Sequence, residues 1–350
     1  MPNIKIYADK GLTGLVNMGN TCFVNTCIQI LSHTYELNEL LDSMTNSKHI
    51  KNIPDSLLLV EWNNLRKLMW KQNCVIEPGK FIHTMQNVAK VKKAELFSGF
   101  SQNDISEFLL FIVDCFHNSI ARPVSMSIKG NGETSTDNVA IKVFTKIKEM
   151  YSKEYSEVWN LFYGMHVSQI TSSKTNKLLS QTPEPFFTIS LPIPKGKVMT
   201  TLYECFDEYV KGEALEGDNG WINEKTKKKE DVVKNIVYWT FPNILSIDLK
   251  RAVNNHKKIQ QLVTFPLNDL DLRKYAIGYR KNEYVYELYG ICNHHSGTSI
   301  GGHYTGIIKN ANQKWYEFND VHINEVHDIK NIITPKAYCL FYRKKTNYNI

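Results

Sequence analysis

Residues 14–25 have the sequence Gly-Leu-Val-Asn-Met-Gly-Asn-Thr-Cys-Phe-Val-Asn, a loop rich in glycine and asparagine that leads into a cysteine. Apolar residues recur from this point at the spacing of one helical face: Val24, Cys27, Ile28 and Leu31. A helix is therefore predicted from Cys22, with Asn20 or Thr21 as its N-cap. A thiol in the first turn lies near unpaired backbone N–H groups and the positive end of the helix dipole, and both favour the thiolate. The pattern predicts a reactive cysteine, which requires a base.

A candidate base lies far downstream, in residues 301–306, Gly-Gly-His-Tyr-Thr-Gly. The two glycines let the backbone pass close to a ligand, and the alternation after His303 predicts a strand. A second strand over residues 315–318 would run back alongside and bring Asn319 or Asp320 close to the imidazole. A cysteine, a histidine and an orienting amide or carboxylate together form the catalytic set of a thiol hydrolase.

These two segments resemble the cysteine and histidine boxes of the ubiquitin-specific proteases, a family of deubiquitinases. The first box is matched from Gly14 to Asn25 and the second from Gly301 to Asp320. Three shorter matches follow the family's order and cover residues 102–109, 241–251 and 337–342. The first of these has Asn103 where the family has a glutamine. The resemblance covers residues 13–343, nearly the whole chain.

The resemblance implies an α+β, papain-like cysteine protease fold, which agrees with helical periodicity up to residue 120 and strand patterns from about residue 160. One of these patterns predicts a single strand over residues 237–250. Residues 1–13 would be an N-terminal extension and residues 14–345 the catalytic domain. That domain would divide into three parts: a helical thumb (about 14–160), short β fingers (about 161–240) and a β-rich palm (about 241–345).

The resemblance also implies roles for the site residues. Cys22 is the nucleophile and His303 the general base. Asn319 matches the family's third catalytic position, and Asp320 is the alternative, so we leave both open. An amide at Asn319 would fix the tautomer by accepting a hydrogen bond from Nδ1–H of the histidine. Asn17, five residues before the cysteine, would donate to the oxyanion, although turn formation is a common role for asparagine.

Three more residues are candidates for substrate binding: Gln102, Asp104 and Gly302. The apolar stripe over residues 105–116 predicts a helix with Ser101 as its N-cap. Asp104 would then either complement the helix dipole or, as the resemblance implies, hold the C-terminal tail of ubiquitin. Both alternatives remain open on sequence alone.

Two other histidines, His294 and His295, lie in a predicted loop upstream of His303. Neither is preceded by the glycine pair or followed by the strand, so His303 is the preferred base. The loop, residues 293–300, would border the cleft and gate a substrate tail.

The seven cysteines are an odd number and are scattered, which favours reduced thiols over a disulfide framework. Many family members carry two Cys-x-x-Cys pairs at the fingertips that bind structural zinc. The aligned positions here, residues 173–176 and 223–226, contain no cysteine, and no other cluster has zinc-ligand spacing. We therefore predict no metal and no cofactor.

Charge and composition limit the kinds of partner that the chain is expected to bind. The formal charge is +7, and its densest basic run, residues 225–229, is interpreted as a solvated hairpin tip rather than a nucleic-acid site. Residues 1–11 have no apolar core and the longest apolar runs are too short to span a bilayer, so no membrane is predicted. We expect an intracellular monomer, in the cytoplasm, the nucleus or both, with ubiquitin and ubiquitinated proteins as its partners.

The predicted activity is hydrolysis of the isopeptide or peptide bond after the C-terminal glycine of ubiquitin, through a thioester on Cys22. Two alternatives remain: a catalytically silent ubiquitin-binding scaffold, and a thiol protease that acts on another modifier.

Overall fold

The structure is a computed structural model that describes residues 3–44, 50–223, 226–252, 257–298 and 301–345. Within these ranges no helix is both long enough and apolar enough to cross a membrane. Several predictions extend beyond them: the first two residues of the extension, part of the basic run and fingertip at 224–225, and the end of the predicted gating loop at 299–300.

Helices form most of the first 162 residues. In chain order they are α1 (Cys22–Ser32), α2 (Tyr35–Met44), α3 (Pro54–Lys71), α4 (Gly79–Val91), α5 (Ile105–Ile120), α6 (Ser135–Tyr151) and α7 (Glu157–Phe162), with α8 (Leu202–Val210) among the later strands.

Strands dominate the rest of the chain. They are β1 (Gly14–Leu15), β2 (Val75–Ile76), β3 (Gly164–Ser172), β4 (Leu178–Phe186), β5 (Thr188–Leu191), β6 (Met199–Thr201), β7 (Glu213–Leu215), β8 (Trp221–Ile222), β9 (Lys229–Glu230), β10 (Val232–Thr240), β11 (Ile244–Leu249), β12 (Leu262–Thr264), β13 (Leu270–Asp271), β14 (Val285–His295), β15 (His303–Lys309), β16 (Trp315–Asn319), β17 (His322–Val326) and β18 (Ala337–Lys344).

The largest sheet has the strand order β17-β16-β15-β14-β18-β11-β5, and β13 also pairs with β14. Its neighbours are antiparallel except for β11 and β5, which run parallel. A second sheet has the order β4-β3-β10-β7, and two-stranded pairs join β1 to β2, β6 to β12 and β8 to β9. The site described below lies at the β15–β16 end of the large sheet.

Helix α1 is buried on every side, because all of its residues from Cys22 to Ser32 are buried. It packs between α5 and the face of the large sheet formed by β14, β15 and β16. The sequence predicted one buried face, which is the usual pattern for a surface helix. The difference arises because helices and sheet cover opposite sides of α1, and the enclosed helix carries its reactive end into the cleft between them.

Three predicted boundaries were wrong. Helix α5 begins at Ile105 and its N-cap is Asp104, not Ser101, since the Asp104 carboxylate accepts from the backbone N–H groups of the first turn. The single strand predicted over residues 237–250 is two strands, because Phe241-Pro242-Asn243 interrupts it and proline cannot donate to a ladder. His294 and His295 belong to β14 rather than to a loop.

Candidate active site

The loop before Cys22 is organised by the side chain of Asn17. Its Oδ1 accepts from the backbone N–H of Gly19 at 3.1 Å and from that of Thr21 at 3.2 Å. The hydroxyl of Thr21 in turn accepts from the backbone N–H of Met18 at 2.8 Å. Gly19 and Asn20 both have positive φ, a conformation that glycine and asparagine adopt most readily. These bonds hold the loop in a tight turn that ends at Thr21, the N-cap of α1.

Strands β15 and β16 bring His303 and Asn319 together. They pair antiparallel, with Gly306 opposite Phe318, so the start of one strand lies beside the end of the other. His303 Nε2 lies 2.7 Å from Asn319 Oδ1. The amide oxygen only accepts, so Nε2 carries the proton and Nδ1 of the neutral ring is left without one.

The predicted ring nitrogen was wrong, because Nε2 of His303 faces the third residue and Nδ1 does not. The short antiparallel connection brings Asn319 to the Nε2 side of the ring, which leaves Nδ1 as the nitrogen able to accept a proton from a thiol.

Asp320 does not bind the imidazole but bonds to the cysteine segment. Its carboxylate accepts from Asn17 Nδ2 at 3.0 Å and from Asn25 Nδ2 at 2.8 Å. Its backbone carbonyl accepts from Leu15 N at 2.8 Å. Adjacent residues thus contact different partners: Asn319 contacts His303, and Asp320 ties the end of β16 to the loop and helix that carry Cys22.

The thiol of Cys22 is buried, with 2% of its surface exposed. Burial raises its pKa, since a thiolate is poorly solvated there, and the charge of Asp320 raises it further. Backbone N–H groups of Tyr304, Phe23 and Cys22 itself oppose this and lower the pKa. The N–H groups at the helix start thus favour the thiolate, as predicted, but desolvation outweighs them in the unbound protein. The N–H of Tyr304, the residue after His303, nevertheless shows that β15 reaches the thiol.

Gln102 connects the cysteine loop with the histidine segment. Its Nε2 donates to the backbone carbonyl of Gly302 at 3.0 Å and lies 3.4 Å from Asn20 Oδ1. Gly302 has a φ of +131°, and a Cβ added there would lie 2.6 Å from His294 Nε2. Only glycine fits this backbone without displacing its neighbours. The chain therefore passes close to Gln102 at the entrance to the site.

Asp104 has two sets of partners. Its Oδ1 accepts from Ser106 N at 2.8 Å and Glu107 N at 3.3 Å, which caps α5. Its Oδ2 accepts from the hydroxyl of Tyr338 on β18 at 2.6 Å. Asp104 therefore lies where α5 meets the large sheet, and it joins helix to sheet at that point.

His294 and His295 are held in structural contacts. His294 Nε2 lies 3.1 Å from the Gly301 carbonyl, and its ring stacks on Tyr304 with centroids 4.6 Å apart. His295 Nε2 lies 2.9 Å from Thr305 Oγ1. Burial lowers the pKa of each to about 4, so both rings are neutral near pH 7. Of these three histidines, His303 is the one that contacts a side-chain amide.

Comparison with known proteins agrees with this geometry. Residues 13–342 match the family model described as ubiquitin carboxyl-terminal hydrolase. The chain belongs to this family. It is 32% identical over 344 residues to ubiquitin carboxyl-terminal hydrolase Usp2 of Drosophila melanogaster, covering 96% of this chain and 35% of that protein. It is 33% identical over 346 residues to ubiquitin carboxyl-terminal hydrolase 2 of Homo sapiens, covering 95% of this chain and 55% of that protein.

The chain thus spans about a third to a half of the length of those two relatives. Among solved structures it resembles a chain of the SAGA DUB module bound to monoubiquitin, with a TM-score of 0.72 and 24% identity. The alignment covers 99% of this chain and 71% of that chain. The likeness confirms the predicted fold class, the α+β, papain-like fold.

One residue of the candidate site, Asn25, belongs to the cysteine box but was given no role from the sequence. Asn25, in the first turn of α1, is 3% exposed and donates to Asp320. A polar amide three residues after the cysteine, on a helix that is otherwise largely apolar, was the available signal, because buried amides require partners.

Within the described ranges no three side chains of histidine, cysteine, aspartate or glutamate lie close enough to hold a metal ion. The prediction of metal-free fingertips stays a prediction, since residues 224–225 lie outside those ranges.

Proposed function

We propose that this chain is a deubiquitinating cysteine protease that hydrolyses the bond after the C-terminal glycine of ubiquitin. One observation carries the proposal. The thiol of Cys22 lies beside the backbone N–H of Tyr304, and the adjacent His303 is oriented by Asn319 with Nδ1 free of a proton. A nucleophile, a base and an orienting group are thus assembled in one cleft.

In the proposed reaction His303 first takes the proton of Cys22. The thiolate attacks the carbonyl carbon of the terminal glycine, and the histidine gives its proton to the departing amine. A water molecule then loses a proton to His303 and attacks the thioester, which releases the carboxylate and restores the thiol. Burial raises the pKa of Cys22, so the thiol is favoured over the thiolate before its proton moves to His303.

Asn17 is the proposed oxyanion donor. One hydrogen of its Nδ2 is given to Asp320, and an amide nitrogen has a second hydrogen to donate. Its oxygen is fixed by the loop, so the amide cannot rotate freely. Asp320 is then a positioning residue for Asn17, while Asn319 completes the catalytic set.

Gln102, Asp104 and Gly302 are proposed to bind the tail of ubiquitin. Gln102 and Gly302 approach each other across the cleft, and Asp104 marks its far end between α5 and β18. A narrow passage suits a tail that ends in glycine, because glycine has no side chain to clash with facing walls.

The wider assignments are proposals as well. The chain would act on ubiquitinated proteins in the cytoplasm or nucleus, as a monomer, through a thumb, fingers and palm with the boundaries predicted above. The helical first part and the sheets that follow support this division.

The test is reaction of the purified chain with a ubiquitin C-terminal electrophile. We expect a one-to-one adduct that is lost in Cys22→Ala and strongly slowed in His303→Ala. Cys74→Ala is the matched control, since Cys74 is a partly exposed free cysteine outside the site and its removal should leave labelling intact. Binding of ubiquitin without an adduct would indicate a catalytically silent scaffold. Labelling only by the electrophile of another modifier would indicate that the enzyme acts on that modifier instead of ubiquitin.

A further inference from the structure

A polar cleft of about 460 Å³ lies on the large sheet next to the catalytic histidine. It is lined by side chains from β14 to β17 and from the segment before β18: Asn293, His295, Ile307, Glu317, Asn324, Glu325, Val326, His327, Asp328, Asn331, Thr334 and Lys336. The mechanism proposed above uses none of them.

The cleft shares a sheet face with the catalytic pair. Side chains alternate along a strand, so Ile307 lies on the face of His303, while Tyr304 and Ile308 join the core packed against α1. His295 pairs directly with His303, and their ring centroids are 6.2 Å apart. Glu317 is two residues before Asn319 on β16, a distance of about 7 Å along the strand. The cleft therefore begins one side chain away from the catalytic histidine.

Negative charge predominates among the ionisable lining residues. Three carboxylates, Glu317, Glu325 and Asp328, face one ammonium, Lys336. Glu325 is paired with Lys314 outside the cleft, but no ion pair involves Glu317 in the part of the chain that the structure describes. Burial, followed by the charge of Lys336, lowers the pKa of His295 to about 4, so His295 adds no positive charge near pH 7. The cleft suits a cationic ligand.

Asn293 supplies a second, independent indication of a ligand. It lines the cleft, only 3% of its surface is exposed, and its Oδ1 accepts no hydrogen bond. A buried amide oxygen without a donor costs free energy, and native structures rarely leave one unsatisfied. An N–H donor entering the cleft would satisfy it.

We propose that this cleft binds the leaving-group side of the substrate, a basic segment of the protein that carries the ubiquitin-modified lysine. The inference rests on the proposed function, in which His303 protonates the departing amine, so the leaving group must lie next to its ring. The tail of ubiquitin occupies the opposite side of the site, between Gln102 and Asp104. Lysine or arginine side chains beside the modified lysine supply both the positive charge and the N–H donors that the cleft lacks.

The experiment compares three substrates that share the same ubiquitin group. One is a ubiquitin C-terminal aminocoumarin amide, and the other two carry ubiquitin on the lysine of a short peptide with either basic or neutral flanking residues. We expect wild-type kcat/KM to be about fivefold higher for the basic peptide, which is the scale of one partly exposed ion pair. The ratio should fall towards one in Glu317→Gln and invert in Glu317→Lys.

Glu133→Lys is the matched charge reversal outside the cleft, on the exposed loop before α6, and should keep the wild-type ratio. The kcat/KM of each variant on the peptides is divided by its kcat/KM on the aminocoumarin amide, which corrects for differences in the fraction of folded protein. The preference should also shrink as salt rises, because partly exposed charges are screened. Equal rates on both peptides, or a preference that survives Glu317→Lys, would overturn the inference alone. Absence of aminocoumarin release by the wild type would instead overturn the proposed function.

Discussion

At the scale of single residues, the carboxylate of Asp320 receives hydrogen bonds from the amides of Asn17 and Asn25. Its neighbour Asn319 receives one from the imidazole of His303. One short turn therefore controls two parts of the site, the orientation of the base and the orientation of the candidate oxyanion donor. Substitutions of Asn17 and of Asn319 should therefore have different effects on the kinetics.

Asn17→Ala tests the oxyanion role. Loss of one donor to a developing oxyanion typically lowers kcat about 10²–10³-fold with little change in KM. Steady-state kinetics on a ubiquitin C-terminal amide, with the unfolding temperature as a control, measures this. A lower unfolding temperature with unchanged kcat would assign Asn17 to the loop alone.

Asn319→Asp tests the orienting role. A carboxylate beside Nε2 stabilises the imidazolium relative to the neutral ring more than the amide of Asn319 does. Because the base acts in its neutral form, the acidic limb of the pH profile of kcat/KM should move to higher pH, by about one unit. An unmoved limb with activity retained would show that Asn319 does not act on the histidine.

At the scale of elements, α5 begins where the cleft begins. Asp104 caps the helix and also accepts from Tyr338 on β18, so the cap joins a helix of the first part to a strand of the large sheet. The helix itself could be predicted from the sequence, because the apolar stripe over residues 105–116 is a local pattern. The N-cap could not be predicted, because serine and aspartate are both good N-cap residues. The choice of Asp104 over Ser101 depends on Tyr338, which lies 234 residues away in the sequence.

Asp104→Ala and Ser101→Ala separate the two candidate caps. Asp104→Ala removes the cap bonds and should lower the free energy of unfolding by about 1–2 kcal/mol. Ser101→Ala should change it by less than about 0.5 kcal/mol, as at an ordinary exposed position. Denaturant unfolding of both variants measures the difference, and equal losses would contradict the assignment of Asp104 as N-cap.

At the scale of the whole molecule, the two segments that carry Cys22 and His303 could be recognised because each is a continuous stretch with its own turn and strand signals. The bonds from Asp320 to Asn17 and Asn25 could not, since they join residues about 300 positions apart. The raised pKa of Cys22 could not be predicted either. Local sequence shows the N–H groups at the helix start but not the layers of sheet and helix that remove water from the thiol.

Alkaline pH should destabilise the whole fold. Burial raises the pKa of Cys27, Cys292 and Cys339 above the ordinary thiol value. A group whose folded pKa is raised contributes stability below its unfolded pKa, near 8.5, and loses it as pH rises towards the folded pKa. Above that pH, each such thiol lowers the free energy of unfolding by up to about 1.4 kcal/mol per pH unit. The unfolding temperature should fall between pH 8.5 and 10.5 and fall less steeply in Cys27→Ala; a flat profile would contradict this.

The wide separation of Cys22 and His303 along the chain has a consequence for biosynthesis. A ribosome makes Cys22 before residues 23–302, and His303 with Asn319 only after them. While those residues are made, the nascent polypeptide carries Cys22 without His303, and the strand that brings Tyr304 to the thiol does not yet exist. The candidate site is therefore assembled only when β15 and β16 complete the sheet, and a chain that ends before these strands lacks the pair of His303 and Asn319.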